Sequence, residues 1–346
     1  MRYELTALSP IWTGGIGKND GTRITRLTGL KGSIRWWCEA LVRGLGGHAC
    51  DPTTDECCKL DNKKLDGKRD IRLQLDEQEI CPVCQLFGCT GWSGKFLLRI
   101  EKANNEQNQS CLIKIECEDD FTLRLIPRKN LEPYEKRLLN MTIKLIVEYG
   151  ALGGRLTLKP SEKGYKNFPD YDKKNHLDYG ILKFRKDPDI QTVPLPEFNN
   201  ASKNKSDWPD LKYFWFVKGS FINRKEHNSI VDRDNNNGKY KTQDERKVFL
   251  GGYNKEELKK VTGRNQRLQN EISNRGPIKS DSESKKIFSF HGIGGRIDEI
   301  NFSPRCFGYA RNEGEREIVT KIIKDILNNK GDTYSFYTGQ EVIDAL

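Results

Sequence analysis

Three cysteines crowd the stretch CPVCQLFGCTGW, Cys81 to Trp92, and residues of this type at this spacing hold metals, carry redox chemistry or act as nucleophiles. Cys81 and Cys84 form a C-x-x-C pair, the half-site that lets two thiolates reach one zinc ion across a tight turn. Cys50, Cys57, Cys58 and Cys89 are the candidate partners. The set Cys50, Cys58, Cys81 and Cys84 has the spacing C-x7-C-x22-C-x2-C and closes a polar loop, to which a zinc would supply missing cohesion. His48 lies near enough in the chain to replace Cys50 as a ligand. The other reading is a group of free thiols, with Cys89 packed beside Phe87. A thioredoxin-type redox centre is disfavoured, because this C-x-x-C does not open a clear amphipathic helix after a strand.

A second set of residues suits phosphate. In LTGLKGSIRWWCEALVRGLGG, Lys31, Arg35 and Arg43 fall on or near the polar side of one helix, with Trp36 among them. The glycines flanking Lys31 would let a phosphate approach the helix N-terminus. The competing reading is a solvated ion-pair ladder, since Arg35, Glu39 and Arg43 follow one another at i,i+4. The turns GALGGR, with Gly153, Gly154 and Arg155, and GIGGR, ending at Arg296, offer backbone N–H groups and an arginine to a phosphodiester. Nucleotide hydrolysis is not indicated: the P-loop pattern fails at Trp12 and Asn19, and G-x-G-x-x-G fails at Ile297. Of the histidines, His48, His176, His227 and His291, the last is best placed for general acid–base work beside GIGGR. No Ser/His/Asp arrangement or dense acidic cluster accompanies them, so the sequence does not argue for an enzyme.

The elements that must position these groups follow from periodicity. Arg2 to Ser9 alternates as a strand, and Ser33 to Leu45 has helical spacing with Ser33 as a candidate N-cap. A cysteine-bearing insertion fills residues 48–92. Strand-like runs follow at Lys95–Glu101 and Cys111–Ile126, and a helix runs from about Glu132 to Tyr149 before a short strand. Strand, helix, two strands, helix, strand is the βαββαβ order of a ferredoxin-like sandwich, an α+β fold. In the second half Leu211–Ile222, Lys285–Phe290 and Arg305–Tyr309 read as strands and Glu315–Leu327 as a helix. The polar segments 104–110, 198–208 and 226–243 read as loops, the middle one a candidate interdomain connection.

Bulk properties narrow the partner class. The chain has 346 residues, about two domains' worth, and 59 Lys+Arg against 49 Asp+Glu give a formal charge of +10. That sign favours a polyanion, nucleic acid ahead of membrane. Mean hydropathy is low, at -0.75. The sequence shows neither a secretory leader nor a run of apolar residues long enough to span a bilayer, so an intracellular setting is expected, where ten cysteines point to metal or buried thiols rather than disulfides.

The motifs LSPIWTGGIG, LTGLKGSIRWWCEALVRGLGGHACDPT and CPVCQLFGCTGW closely resemble the RAMP superfamily, and within it the family of first subunits of the Cmr complex of type III-B CRISPR effectors. The likeness is most specific over residues 6–98 and continues through EYGALGG, KIFSFHGIGG and RCFGYAR. It implies two tandem ferredoxin-like (RRM-like) domains, over residues 1–165 and 166–346, with loop insertions. It implies a cytoplasmic, non-catalytic subunit that binds single-stranded RNA, contacting the guide RNA (crRNA) near its 3′ end, the paired target RNA, or both, beside other Cmr subunits. Lys31, Arg35, Trp36, Arg43, Gly153, Gly154 and Arg155 are the RNA-binding positions it carries over. It also places zinc ligands at Cys50, Cys58, Cys81 and Cys84. The alternative is a metal-independent endoribonuclease of the same superfamily, using His291 or His48.

Overall fold

A computed structural model describes residues 1–13, 15–16, 23–102, 112–153, 180–188, 193–198, 200–205, 208–222, 287–290 and 304–346. It is a mixed α+β structure with antiparallel sheets. The first sheet contains β1 (Arg2–Ala7), β6 (Phe96–Lys102), β8 (Asp120–Pro127) and β9 (Leu182–Phe184), in the order β6-β8-β1-β9. Its strands have a period of two: Tyr3, Leu5, Ala7, Leu98, Ile100, Phe121, Leu123 and Leu125 point inward, and Arg2, Glu4, Arg99 and Arg124 point out.

Two helices cover the inner face. Helix α1 (Leu27–Gly44) buries Leu30, Ile34, Trp37, Cys38 and Leu41, and α4 (Pro133–Glu148) buries Leu138, Leu139, Thr142, Leu145 and Ile146. Pro133 at the first position and a reciprocal capping box between Glu132 and Glu135 start α4. Glu135 also meets Lys95 at 2.7 Å, and both side chains are buried. Taken along the chain, β1, α1, β6, β8, α4 and β9 surround this sheet in β-α-β-β-α-β order.

Short elements lie between. β2 (Gly15–Ile16), β3 (Arg23–Arg26) and β7 (Leu112–Ile113) pair beside the α1 N-terminus. The insertion carries α2 (Ile71–Glu77), α3 (Pro82–Phe87) and the ribbon β4 (Gly88–Cys89) with β5 (Trp92–Ser93).

The second sheet joins β10 (Phe214–Lys218), β11 (Ile287–Phe290), β12 (Arg305–Tyr309) and β13 (Ser335–Thr338), in the order β11-β12-β10-β13. Helix α5 (Glu313–Lys330) lays Val319, Ile323 and Leu327 against Trp215, Val217, Ile287 and Cys306 on one face. The other face presents Phe214, Phe216, Phe288, Phe290, Phe307 and Tyr309 to the core of the first sheet's helices. Trp37 lies 5.3 Å from Phe307, and Tyr149 5.5 Å from Phe216, between ring centroids. A last helix, α6 (Gly339–Ala345), packs back on α1.

Four differences from the sequence reading have physical causes. Helix α1 starts at Leu27, not after Ser33, because Ser33 Oγ accepts a hydrogen bond from Gly153 N instead of capping its own helix. The run 111–126 breaks into β7 and β8 around Glu118, whose φ is 68°. The fourth strand of the first sheet, Leu182–Phe184, lies beyond the boundary placed at residue 165. The described part of 198–208 packs on the insertion: Asn204 bonds Gly47 O and Ala49 N, while Lys203 pairs with Glu79 and Lys205 with Glu56. Segments 104–110 and 226–243 lie outside the described residues.

Candidate metal centre and nucleic-acid interface

The four cysteines converge from three pieces of chain. Cys50 follows the loop that ends α1, Cys58 sits in the insertion, Cys81 caps α3 and Cys84 lies within α3. Their sulfurs all lie within 4.8 Å of one another. Cys50 Sγ is 3.4 Å from Cys84 Sγ and 3.8 Å from Cys81 Sγ. A tetrahedral zinc with Zn–S of about 2.3 Å separates its sulfurs by about 3.8 Å, so the donor set fits that ion.

The surroundings suit negative sulfur. Cys81 N donates to Cys58 Sγ at 3.3 Å, and Cys84 N to Cys81 Sγ at 3.4 Å. Arg35 Nη2 reaches Cys84 Sγ at 3.1 Å while its Nε pairs with Glu39 at 2.7 Å and Nη1 donates to Gly88 O at 2.7 Å. Burial works against the charge on Arg35, but Cys84 and Glu39 outweigh it and raise its proton affinity. Four thiolates on a divalent ion leave two negative charges, and a guanidinium on one sulfur offsets part of them. Hydrogen bonding among the sulfurs lowers the proton affinity of Cys50 and Cys81 and raises that of Cys84.

Cys57, Cys89 and His48 stand outside this set. Burial pushes the Cys89 thiol up to about 11. His48 Nδ1 is 3.0 Å from Asn204 Oδ1, and burial lowers its proton affinity.

The phosphate-directed residues divide. Arg43, read as part of a polar helix face, is only 3% exposed. Its guanidinium donates to Ala49 O, Cys50 O and Pro209 O and lies 4.9 Å from the centre of the Trp208 ring. The insertion and the segment around Pro209 cover that side of α1, which overturns the solvated-ladder reading: Glu39 is buried too. Trp36 is half-buried and stands edge-on to Trp37 at 4.9 Å, within the aromatic cluster shared with Phe214 and Tyr309. Lys31 is half-buried, donating to Phe96 O at 3.4 Å, and burial, with Arg35 nearby, lowers its proton affinity.

The glycine turn meets α1 at its N-terminal end. Gly153 has φ of 62°, a left-handed conformation, and a Cβ there would sit 3.0 Å from Thr13 Cγ2. Gly29 makes room on the helix side, where a Cβ would lie 2.6 Å from Thr13 Cβ. Thr13, Ser33 and Gly153 thus adjoin a helix terminus whose N-cap residue, Arg26, makes no side-chain cap and donates its own N–H to Thr13 Oγ1 at 2.7 Å, with no acidic residue in the first turn. Trp37 Nε1 donates to Ala151 O at 2.9 Å, and Arg305 Nη1 to Val147 O at 3.0 Å and Gly150 O at 3.2 Å. Burial lowers the Arg305 pKa to about 10. Sequence reasoning missed Thr13 and Arg305; their types carry no motif, and only the contacts reveal them. Gly154, Arg155, Arg296, His176, His227 and His291 lie outside the described residues.

The RAMP superfamily model matches residues 4–158, from β1 through the cysteine centre to the glycine turn. This segment belongs to the RAMP superfamily. Two solved structures align with this chain more widely. Cmr1 from Pyrococcus furiosus, in its apo form, is 10% identical with a TM-score of 0.37, covering 98% of this chain and 98% of its own. A chain of a Type IV-B CRISPR complex is 13% identical with a TM-score of 0.31, covering 57% of this chain and 95% of its own. Curated proteins give no match. Among the described residues, no helix is long and apolar enough to cross a membrane.

Proposed function

We propose that this chain is a non-catalytic, single-stranded RNA-binding subunit of a type III-B CRISPR-Cmr effector complex, acting in cytoplasmic antiviral defence. It contacts the guide RNA near its 3′ end, the paired target RNA, or both, next to other Cmr subunits. The observation that carries the reading is the RAMP segment itself, whose glycine turn and uncapped α1 N-terminus come together around Thr13. Backbone N–H groups at such a junction suit phosphate, with Lys31 on the following turn adding charge. Contacts of this kind give salt-sensitive affinity without sequence preference, as a variable guide demands. The shared strand order of the two sheets supports two tandem ferredoxin-like domains. Cys50, Cys58, Cys81 and Cys84 would hold a structural zinc that ties the insertion to α1.

Binding of 5′-labelled oligouridylate to the purified chain, measured across a salt series, tests this function. Salt-dependent binding with the RNA left intact is expected, weakened about threefold to tenfold by Lys31→Ala through loss of one phosphate contact. Cleavage that persists in chelator and disappears in His291→Ala would replace this reading with the endoribonuclease.

A further inference from the structure

The outer face of the first sheet carries charge in rows. Cross-strand register places Arg2 opposite Arg124, and Arg124 opposite Arg99, so three arginines stand abreast on β1, β8 and β6. Like charges directly opposite one another in a sheet are destabilising. Arg2 and Arg124 are each partly compensated, by Glu4 at 3.4 Å and Glu101 at 2.7 Å. Arg99 is exposed and has no ion-pair partner among the described residues. One row to one side, about 7 Å along the strands, Glu101 and Glu4 flank Thr122. One row to the other side, Leu97 is 41% exposed and faces the half-buried Ile126.

Two kinds of macromolecule carry negative charge to such a face. A single RNA strand presents one sign throughout, so the carboxylate row would repel it, and the described outward residues of β1, β6 and β8 include no aromatic ring on which a base could stack. A polypeptide surface can set carboxylates on the arginines, donors on the carboxylates and an apolar side chain on Leu97 and Ile126. Arginine beside apolar surface is also what protein interfaces favour.

We infer that the outer face of the first sheet docks a neighbouring protein through a row of carboxylates that it lays across Arg2, Arg124 and Arg99. The inference rests on the reading of this chain as a complex subunit, and it assigns the protein partner to the side of the sheet opposite α1 and the glycine turn.

The experiment is the charge reversal Arg2→Glu/Arg99→Glu/Arg124→Glu, made in the full chain and expressed with the whole effector operon. Native mass spectrometry reads the fraction assembled, and oligouridylate binding by the isolated chain reads the other side of the sheet. A loss of assembly affinity of about tenfold or more is expected, with RNA affinity unchanged within about twofold, since these arginines lie away from the helix terminus. Normal assembly of the variant, or a parallel loss of RNA affinity, overturns the docking surface and leaves the RNA-binding function standing. A wild-type chain that neither binds oligouridylate nor enters a complex overturns both. Should the triple variant not fold by circular dichroism, Arg99→Glu alone, which breaks no ion pair, is expected to weaken assembly in the same direction, and no change overturns the inference.

Discussion

The two sheets share one strand order but treat their outer faces in opposite ways. In the first, alternation leaves one face to α1 and α4 and the other to arginine, glutamate and threonine. In the second, FWFV, IFSF and CFGY are apolar on both sides, and each face is covered, one by α5 and one by α1 with the end of α4. Strand order therefore does not decide what a sheet binds; the period of its side chains does. A strand apolar on both faces must be covered twice, and here the second cover is the first sheet's own helix layer. Trp36 and Trp37 thus join the two halves.

That contrast can be broken at graded cost. Trp37→Ala removes the ring that meets Phe307 and Phe214 and orphans Ala151 O. It should destabilise the chain by about 4–5 kcal/mol, read as a lowered denaturant midpoint; a loss under about 1 kcal/mol would show that the shared core does not join the halves. Lys95→Met, beneath the first sheet, should cost about 3 kcal/mol because Glu135 is left buried without its cation. The orphaned carboxylate keeps the Glu132 amide, which holds the loss at the lower end. On the open face, Arg124→Met breaks an equally short pair with Glu101 but should cost at most about 1 kcal/mol. Equal losses for these two pairs would mean that the outer face is not solvated.

Two further variants sharpen the picture. Arg35→Leu should weaken zinc binding by about tenfold to a hundredfold, measured by competition with a chromophoric chelator. If RNA affinity falls and zinc affinity does not, Arg35 serves the interface and not the cysteines. Arg99→Thr, which relieves the arginine row, should raise stability by a few tenths of a kcal/mol, visible in thermal melts at low salt. A destabilisation would indicate that the row is satisfied within the chain.

Legibility followed the range of each interaction. Strand β1, helix α4, strand β12 and the C-x-x-C were readable because their patterns are local. The choice of Cys58 over Cys57 was settled by the fold of the insertion, which alone brings one of two neighbouring sulfurs to Cys81 N. The C-terminal β13 and α6 escaped notice because TYSFYTGQEVIDAL is short and half polar, and tertiary packing against Leu211 makes up for weak local preference. The helical period puts Arg35 and Arg43 on one side of α1 and offers them to phosphate or solvent, but it does not reveal their partners within the chain.

By itself, the sequence determined the alternating strands, the apolar stripes of the helices, the basic balance and the cysteine spacing, each a matter of residue type and short period. Tertiary structure alone decided where the cations went: Arg43 to buried carbonyls, Arg35 to a cysteine sulfur, Arg305 to the end of α4, and Arg2, Arg99 and Arg124 to an open sheet. A charged side chain's partner comes from whatever element packs nearby, often a hundred residues away, and no helical or strand period encodes that neighbour.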